Sequence, residues 1–135
     1  MSKILTFIDS SVLLAAWRGI SNLRIKSLTI LSDSNREFTS SPFVKLELLP
    51  KAIFHKNLAE VEFYQAFFES VINLPKDLEK IISLAEKTAG NYGLNGMDAL
   101  HISAAILSKS TEFITAERPT SPLFRVKELN VISIR

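Results

Sequence analysis

Residues 3–11, KILTFIDSS, contain a short apolar run that ends at a carboxylate. The β-branched and aromatic residues of this run are typical of a strand that is buried on both faces, as in a parallel sheet. Asp9 follows directly, and the two serines after it are a common way to begin a helix, so Asp9 could simply cap that helix. In open α/β sheets, however, ligands bind outside the carboxyl ends of the strands. The stretch therefore predicts a parallel strand that presents Asp9 at the ligand-binding edge of a sheet.

Strand and helix patterns alternate along the rest of the chain. Apolar residues at helical spacing predict helices over 12–17 and 20–31, and further helices that begin near 42, 58, 75 and 97. Short apolar runs predict additional strands at 36–39, 71–74, 112–115 and 130–134. We expect Pro50 to kink or restart its helix, and we expect residues 90–96 to form a loop. The alternation predicts a three-layer α/β/α sandwich around a central, mostly parallel sheet.

The composition excludes several classes of protein and of chemistry. The 135 residues are 47% hydrophobic with only 4 Gly and 5 Pro, which favours a single packed domain over residues 1–135. The sequence has no cysteine, so disulfides, thiolate nucleophiles and sulfur-ligated zinc are excluded. No apolar run reaches the roughly 18 residues of a membrane span, and we expect a cytoplasmic protein. The formal charge of +2 does not identify a partner.

Glu47 and Asp98 are two further acids that stand on apolar elements. Glu47 belongs to a mostly apolar helix, so its side chain faces or flanks the core. An ion pair with Lys51 is the local alternative, which the intervening Pro50 weakens. Asp98 opens a helix that continues ALHISAAIL, where an unpaired buried carboxylate is costly and a cation is the usual remedy. Together with Asp9, these acids indicate a site for a hard divalent cation with oxygen ligands.

In combination, four stretches resemble the four acidic motifs of PIN-domain nucleases, in the same order and at similar spacing. The stretches are FIDSSVLL (7–14), SPFVKLELLPKA (41–52), NGMDALHISAAI (95–106) and EFITAE (112–117). The resemblance covers almost the whole chain. It carries over Asp9, Glu47 and Asp98 as matches to the family's first three acids, and Ser10 as the small polar neighbour of the first.

The fourth motif departs from the family's pattern. The family usually has Asp or Asn shortly after the threonine, whereas here Thr115-Ala116 is followed by Glu117. A longer side chain is compatible with metal binding, either directly or through water, but the strength of a second metal site stays open. The alternative is a solvated acid paired with Arg118. The resemblance thus implies catalytic roles for Asp9, Glu47, Asp98 and Glu117, with the metal held by Asp9, Asp98 and Glu117.

The resemblance implies a ribonuclease that uses Mg²⁺ or Mn²⁺ to hydrolyse phosphodiester bonds in single-stranded or structured RNA. Because acids repel phosphate, nearby cations must help to hold the RNA. The cations nearest to the acidic motifs are Arg18, Lys45, Lys51 and Arg118. Proteins of this kind are often the toxin of a toxin–antitoxin pair, so a cognate antitoxin is a further implied partner. They also commonly pair, and the apolar face of residues 58–68 leads us to expect a homodimer.

Two other classes of protein stay open at the level of sequence. A receiver-like signalling domain also clusters acids at strand ends and binds Mg²⁺, but it needs a phosphoacceptor Asp that ends a middle strand. The expected strand at 71–74 ends in Leu-Pro instead. A catalytically silent PIN-like binding module is the second alternative, which the departure at Glu117 leaves open. His101, one turn after Asp98, could face the site, although a hydrogen-bonded core histidine is the commoner case.

Overall fold

A computed structural model describes residues 2–135 of the chain. Its centre is a four-stranded, fully parallel sheet in the order β2-β1-β3-β4. The strands are β1 (Ile4–Ile8), β2 (Arg36–Thr39), β3 (Glu112–Thr115) and β4 (Asn130–Ser133). Helices cover the sheet on both sides, which confirms the α/β/α sandwich that the sequence predicts.

Six α-helices connect these strands within the described residues. They are α1 (Ser10–Arg18), α2 (Asn22–Leu31), α3 (Pro42–Phe54), α4 (Leu58–Ser70), α5 (Leu78–Tyr92) and α6 (Gly96–Leu107), and a short 3₁₀ helix follows at Pro122–Arg125. The start of α3 is as predicted, because the Ser41 side chain accepts a hydrogen bond from the Val44 N–H while Pro42 takes the first helical position. No helix within residues 2–135 is both long and apolar enough to cross a membrane.

The expected strand at 71–74 is wrong. This segment forms one isolated bridge, between Asn73 and Thr39 at the outer edge of the sheet. The Ile72 N–H does donate to the Phe38 carbonyl at 3.0 Å. Pro75 follows almost at once, and because proline has no N–H it cannot continue a ladder of hydrogen bonds. The segment therefore touches the sheet without becoming a strand.

Two helix boundaries in the second half of the chain also differ from expectation. Helix α5 begins at Leu78 instead of Pro75, because the Asp77 side chain caps it by accepting from the Lys80 N–H. The expected loop at 90–96 is only three residues long. Helix α5 continues through Gly90 and ends at Tyr92. The φ of +67° at the following C-cap residue, Gly93, is the left-handed conformation that often terminates helices.

Helix α3 runs through Pro50 without ending or restarting there, contrary to the expected restart. Pro50 itself is exposed, so its ring meets solvent and not another element. The buried side chains of the helix are Val44, Leu48 and Ala52, and their burial offsets the local cost of proline. Packing therefore holds Glu47 in a continuous helix.

The core places two strand ends side by side. The rings of Phe7 and Phe113 stack with centroids 5.1 Å apart, and both side chains are fully buried. In the parallel register of β1 and β3, Ile8 pairs with Ile114. Asp9 and Thr115, the next residues along each strand, are therefore neighbours at the carboxyl edge of the sheet.

Replacing Pro50 with Ala should stabilise the protein. The substitution restores one helical hydrogen bond in α3, and an internal proline costs about 3 kcal/mol, of which up to about 1 kcal/mol is recovered in the unfolded chain. We expect the free energy of unfolding in urea to rise by about 1–2 kcal/mol. Pro75→Ala, outside any helix, is the control and should give no gain. An unchanged or lower value for Pro50→Ala would contradict this account of α3.

Candidate active site

Asp9 is a buried carboxylate that the start of α1 and the end of β3 hold in place. It is 6% exposed. Its Oδ1 accepts from the backbone N–H of Ser10 at 2.9 Å, and its Oδ2 accepts from the hydroxyls of Ser11 and Thr115, each at 2.9 Å. Asp9 also occupies the N-cap position of α1, so the capping alternative is realised as well. The result is a fixed negative charge at the carboxyl edge of the sheet.

Glu47 is joined to His101, which lies on α6. His101 Nε2 and Glu47 Oε1 are 2.6 Å apart, and the imidazole is almost fully buried. The hydrogen bond from His101 is the main reason that the pKa of Glu47 is lowered, and Ser10 and Lys51 act in the same direction. No ion pair joins Glu47 to Lys51 anywhere in residues 2–135. Glu47 is therefore a charged side chain that a buried partner orients.

His101 is both a core residue and a part of the site. Burial alone lowers its pKa, but the hydrogen bond to Glu47 and the charge of Asp9 outweigh burial and leave the pKa raised. Its second ring nitrogen, Nδ1, is buried and has no hydrogen-bond partner among the described residues. The imidazole therefore makes its one hydrogen bond toward the acids.

Asp98 lies in the first turn of α6, where its backbone N–H donates to the Asn95 side chain. Burial raises the pKa of its carboxyl group, and the charges of Asp9, Glu117 and Glu47 raise it further, while His101 lowers it. None of the hydrogen bonds found in residues 2–135 ends on this carboxylate. Burial is the largest cause of the shift, and the charges of the other three acids add to it.

Glu117 follows β3 at the same edge and is exposed. Its backbone N–H donates to the Thr115 hydroxyl at 3.1 Å, and its carbonyl accepts from the Ser133 hydroxyl at 2.6 Å. The described chain contains no ion pair between Glu117 and Arg118, which was the alternative reading of this acid. The backbone of Glu117 is anchored, and its carboxylate is open to solvent.

The donors suit a hard divalent cation, although they do not form a closed coordination sphere. Within residues 2–135, no group of three or more His, Asp or Glu side chains is placed to hold a metal ion. The convergence of Asp9, Glu47 and Asp98 within one coordination sphere or a bridging water stays a prediction. Mg²⁺ keeps several waters and is usually held by one or two protein carboxylates. The carboxylates of Asp9 and Asp98 are oxygen ligands of the kind that Mg²⁺ prefers. The site therefore fits such an ion.

A cleft of about 290 Å³ opens beside the acids. Ser10 and Glu47 line it at one side, and Arg18, Lys51, Glu60 and Tyr64 also contribute to its wall. Two of the four cations proposed to hold RNA are thus in this cleft. Lys45 instead lies over the ring of Phe68, with its Nζ 5.9 Å from the centroid. Arg118 is exposed beyond β3.

Sequence reasoning missed several residues that hold the site together. Thr115 and Ser11 bind the Asp9 carboxylate, and Glu60 binds Arg18 in the neighbouring cleft. Thr115 could have been found, because it ends the predicted strand at 112–115, and the carboxyl ends of parallel strands meet at the same edge of a sheet. The pair of Arg18 and Glu60 spans 42 positions and had no local signal.

Comparison with known proteins gives a family match and several matches of fold. The family model described as PIN domain matches residues 6–118. No curated protein matches the chain. Similar solved structures include a toxin–antitoxin complex from Klebsiella pneumoniae, at 16% identity and a TM-score of 0.74, covering 96% of this chain and 98% of that one.

Two further solved structures have the same fold. VapBC2 from Rickettsia felis bound to a DNA fragment from its promoter matches at 13% identity and a TM-score of 0.69, covering 96% of this chain and 98% of that one. VapBC-1 from nontypeable Haemophilus influenzae matches at 16% identity and a TM-score of 0.67, covering 97% and 98%. At these identities the likeness is one of fold.

Replacing Asp98 with Asn should raise the stability of the metal-free protein. The raised pKa means that the folded chain binds this proton more tightly than the unfolded chain does. The charged form at neutral pH therefore costs stability, and the cost disappears below the ordinary pKa of an aspartate. Because Asp98 is partly exposed, we expect a gain of less than about 1 kcal/mol at pH 7 in EDTA. Thermal melts at neutral and at acidic pH measure it, and a lower melting temperature at neutral pH would show that Asp98 is a structural partner.

Proposed function

Since the chain belongs to the PIN domain family, we propose that it is an endoribonuclease that requires Mg²⁺ or Mn²⁺ and hydrolyses RNA phosphodiester bonds. The observation that carries the proposal is the buried Asp9 carboxylate, held at the carboxyl edge of the sheet by Ser10, Ser11 and Thr115. Burial and then the charges of Asp9, Glu117 and Glu47 raise the pKa of Asp98 beside it. Such an arrangement strains a folded protein unless a cation relieves the repulsion. A site that costs stability in the absence of a ligand is typical of a functional site.

The four acids would have different roles in the reaction, three in holding the metal ion and one in accepting a proton. A bound Mg²⁺ or Mn²⁺ would polarise the phosphodiester and stabilise the leaving oxygen. Asp9, fixed by three hydrogen bonds, and Asp98, without donors of its own, would hold the ion, and the exposed Glu117 would complete its ligands directly or through water. Glu47, charged and oriented by His101, would accept a proton from the attacking water.

We further propose that this single domain is the toxin of a toxin–antitoxin pair, with RNA as its cytoplasmic substrate and a cognate antitoxin protein as its partner. The support is the fold shared with chains from structures described as toxin–antitoxin complexes and as VapBC. The overlap spans nearly the full length of both chains in each case.

Some observations favour one alternative function. A catalytically silent PIN-like binding module would explain why Asp9 caps α1 and why residues 2–135 contain no three-membered group of metal-binding side chains. The receiver-like alternative has no such support, because the segment at 71–74 is not a strand and the family match is to the PIN domain. An assay for RNA cleavage separates the nuclease from the silent module.

The purified protein should cleave single-stranded RNA in Mn²⁺ or Mg²⁺, and EDTA should stop the reaction. Asp98→Asn should lower the rate by about a hundredfold or more, because an amide oxygen is a poorer ligand for a hard ion. Glu86→Gln, which neutralises an exposed acid on α5, is the matched control and should cut at the wild-type rate. Metal-dependent cleavage that survives in Asp98→Asn would remove this residue from the mechanism, and no cleavage by the wild type would favour the silent module.

We also propose a homodimer that forms through exposed residues of α3 and the start of α4. The aromatic side chains of α4 largely pack into the chain's own core, with Tyr64 and Phe67 buried, so the apolar face of residues 58–68 does not by itself require a partner. Four strongly exposed apolar residues lie on α3 and at the start of α4. They are Leu46 (66% exposed), Ile53 (55%), Phe54 (80%) and Leu58 (73%). A cluster of this kind favours protein–protein contact.

Sedimentation velocity at micromolar concentration should give a dimer for the wild-type protein. Phe54→Glu should give a monomer, because the new charge would be buried without a partner in the interface. Ile20→Glu alters a residue that is equally exposed on another part of the surface, and it should leave the dimer intact. A wild-type monomer, or a dimer that is insensitive to Phe54→Glu, would argue against this surface.

A further inference from the structure

We infer that Arg18 binds a phosphate of the RNA next to the one that is cleaved, and that buried Glu60 is the positioning residue that holds Arg18 there. The inference rests on the proposed ribonuclease function and deepens it. It specifies the form of the substrate: a single strand that continues from the acids into the cleft and is held by its backbone.

Glu60 is a buried carboxylate with a complete set of partners. It is 2% exposed, although it stands on a helix that faces the cleft. The Tyr64 hydroxyl donates to its Oε2 at 2.6 Å, and Asn57 and Arg18 donate to its Oε1 at 3.1 and 3.0 Å. The hydrogen bonds from Tyr64 and Arg18 outweigh burial and lower the pKa of Glu60, so the group is charged at neutral pH. Such a network fixes the position of each member.

Arg18 is the one member of this network that reaches solvent. Its side chain is 55% exposed and lines the cleft together with Lys51, Ser10 and Glu47. A guanidinium has several N–H donors in a rigid plane, and the described residues take up one of them, at Glu60. The remaining donors can bind a phosphate in the two-pronged manner that arginine favours. Lys51, which makes no ion pair within residues 2–135, adds positive charge to the same wall.

Helix α1 sets the distance between Arg18 and the acids. The helix begins directly after Asp9 and ends at Arg18, so the two ends are about 12 Å apart at the helical rise per residue. Arg18 thus stands at the opposite end of α1 from Asp9, where it would meet a phosphate other than the scissile one. On this proposal the substrate carries at least one further phosphate. Tyr64 is fully buried and offers no ring for base stacking, so this contact should position the RNA without reading its sequence.

Binding of a short fluorescein-labelled oligouridylate in EDTA, where no cleavage occurs, tests the contact directly. Each phosphate contact to a single strand adds about 0.7 to the slope of log affinity against log salt. Arg18→Gln should reduce that slope by about 0.7, which a purely structural role would not do. Lys87→Gln removes an exposed charge on α5 and is the matched control, with an unchanged slope. If Arg18→Gln keeps the wild-type slope, the contact does not exist.

Cleavage assays in Mn²⁺ test whether the position of the Arg18 side chain, set by Glu60, affects the rate. Arg18→Gln should cut the oligonucleotide about tenfold more slowly than the wild type, mainly through KM, and should cut a dinucleoside monophosphate, which has only the scissile phosphate, at the wild-type rate. Glu60→Gln makes the protein more positive, so simple charge attraction predicts faster cleavage of the oligonucleotide. Positioning predicts slower cleavage by Glu60→Gln, and a faster rate would overturn the role of Glu60.

Loss of Arg18 leaves Glu60 buried without one of its partners, which could unfold the single variant. The double variant Arg18→Gln/Glu60→Gln removes that unpaired charge and still lacks the cation, so it should show the same reduced salt slope. If the wild type cleaves neither substrate, the proposed function fails. If the wild type cleaves both and the double variant matches it in slope and in rate, the inference about Arg18 fails while the proposed function stands.

Discussion

In the parallel register of β1 against β3, Ile8 pairs with Ile114, and the site depends on this pairing. The register makes Asp9 and Thr115 neighbours, and it lets one hydroxyl bind the carboxylate from the adjacent strand. A slip of one residue would turn every side chain of β1 to the opposite face. The stacked rings of Phe7 and Phe113 oppose such a slip, because each ring would leave a fully buried position. Core packing thereby fixes the place of the first acid.

The acids of the site differ in how many hydrogen bonds their carboxylates accept from the protein. Glu47 has a buried hydrogen-bond partner in His101, and Asp9 accepts hydrogen bonds on both of its oxygens. Asp98 accepts no hydrogen bond within the described chain, and burial together with the charges of Asp9, Glu117 and Glu47 raises the pKa of its carboxyl group. A cation bound near Asp98 would therefore gain the most from the arrangement. In an ordinary network of surface ion pairs each acid has a partner, whereas here Asp98 has none within the described chain.

The sequence predicted the elements whose boundaries are set by residues close together in the chain. An apolar run that stops at Asp9, and Ser41-Pro42 before an apolar helix, define boundaries through short-range chemistry, and both predictions are confirmed. The segment at 71–74 looked like a strand because its composition is apolar, but it makes only one bridge to β2 before Pro75, which has no N–H, ends the pairing. The bond between Glu47 and His101 joins positions 54 residues apart, and it depends on how α3 meets α6. No local pattern could predict that contact, although both residues could be singled out.

Helix α1 gives the site a fixed length. Its first turn begins at Asp9 and its last residue is Arg18, so one rigid element sets the separation between an anionic end and a cationic end. Trp17 packs against Phe63 of α4, with ring centroids 5.7 Å apart, and the same helix carries Glu60. The contact that anchors α1 to α4 is thus adjacent to the pair that orients Arg18. The residues with room to adjust are the exposed Glu117 and Lys51, which stand outside this rigid unit. A flexible RNA strand would therefore be held between two fixed points, and adaptation would fall to side chains whose movement leaves the fold unchanged.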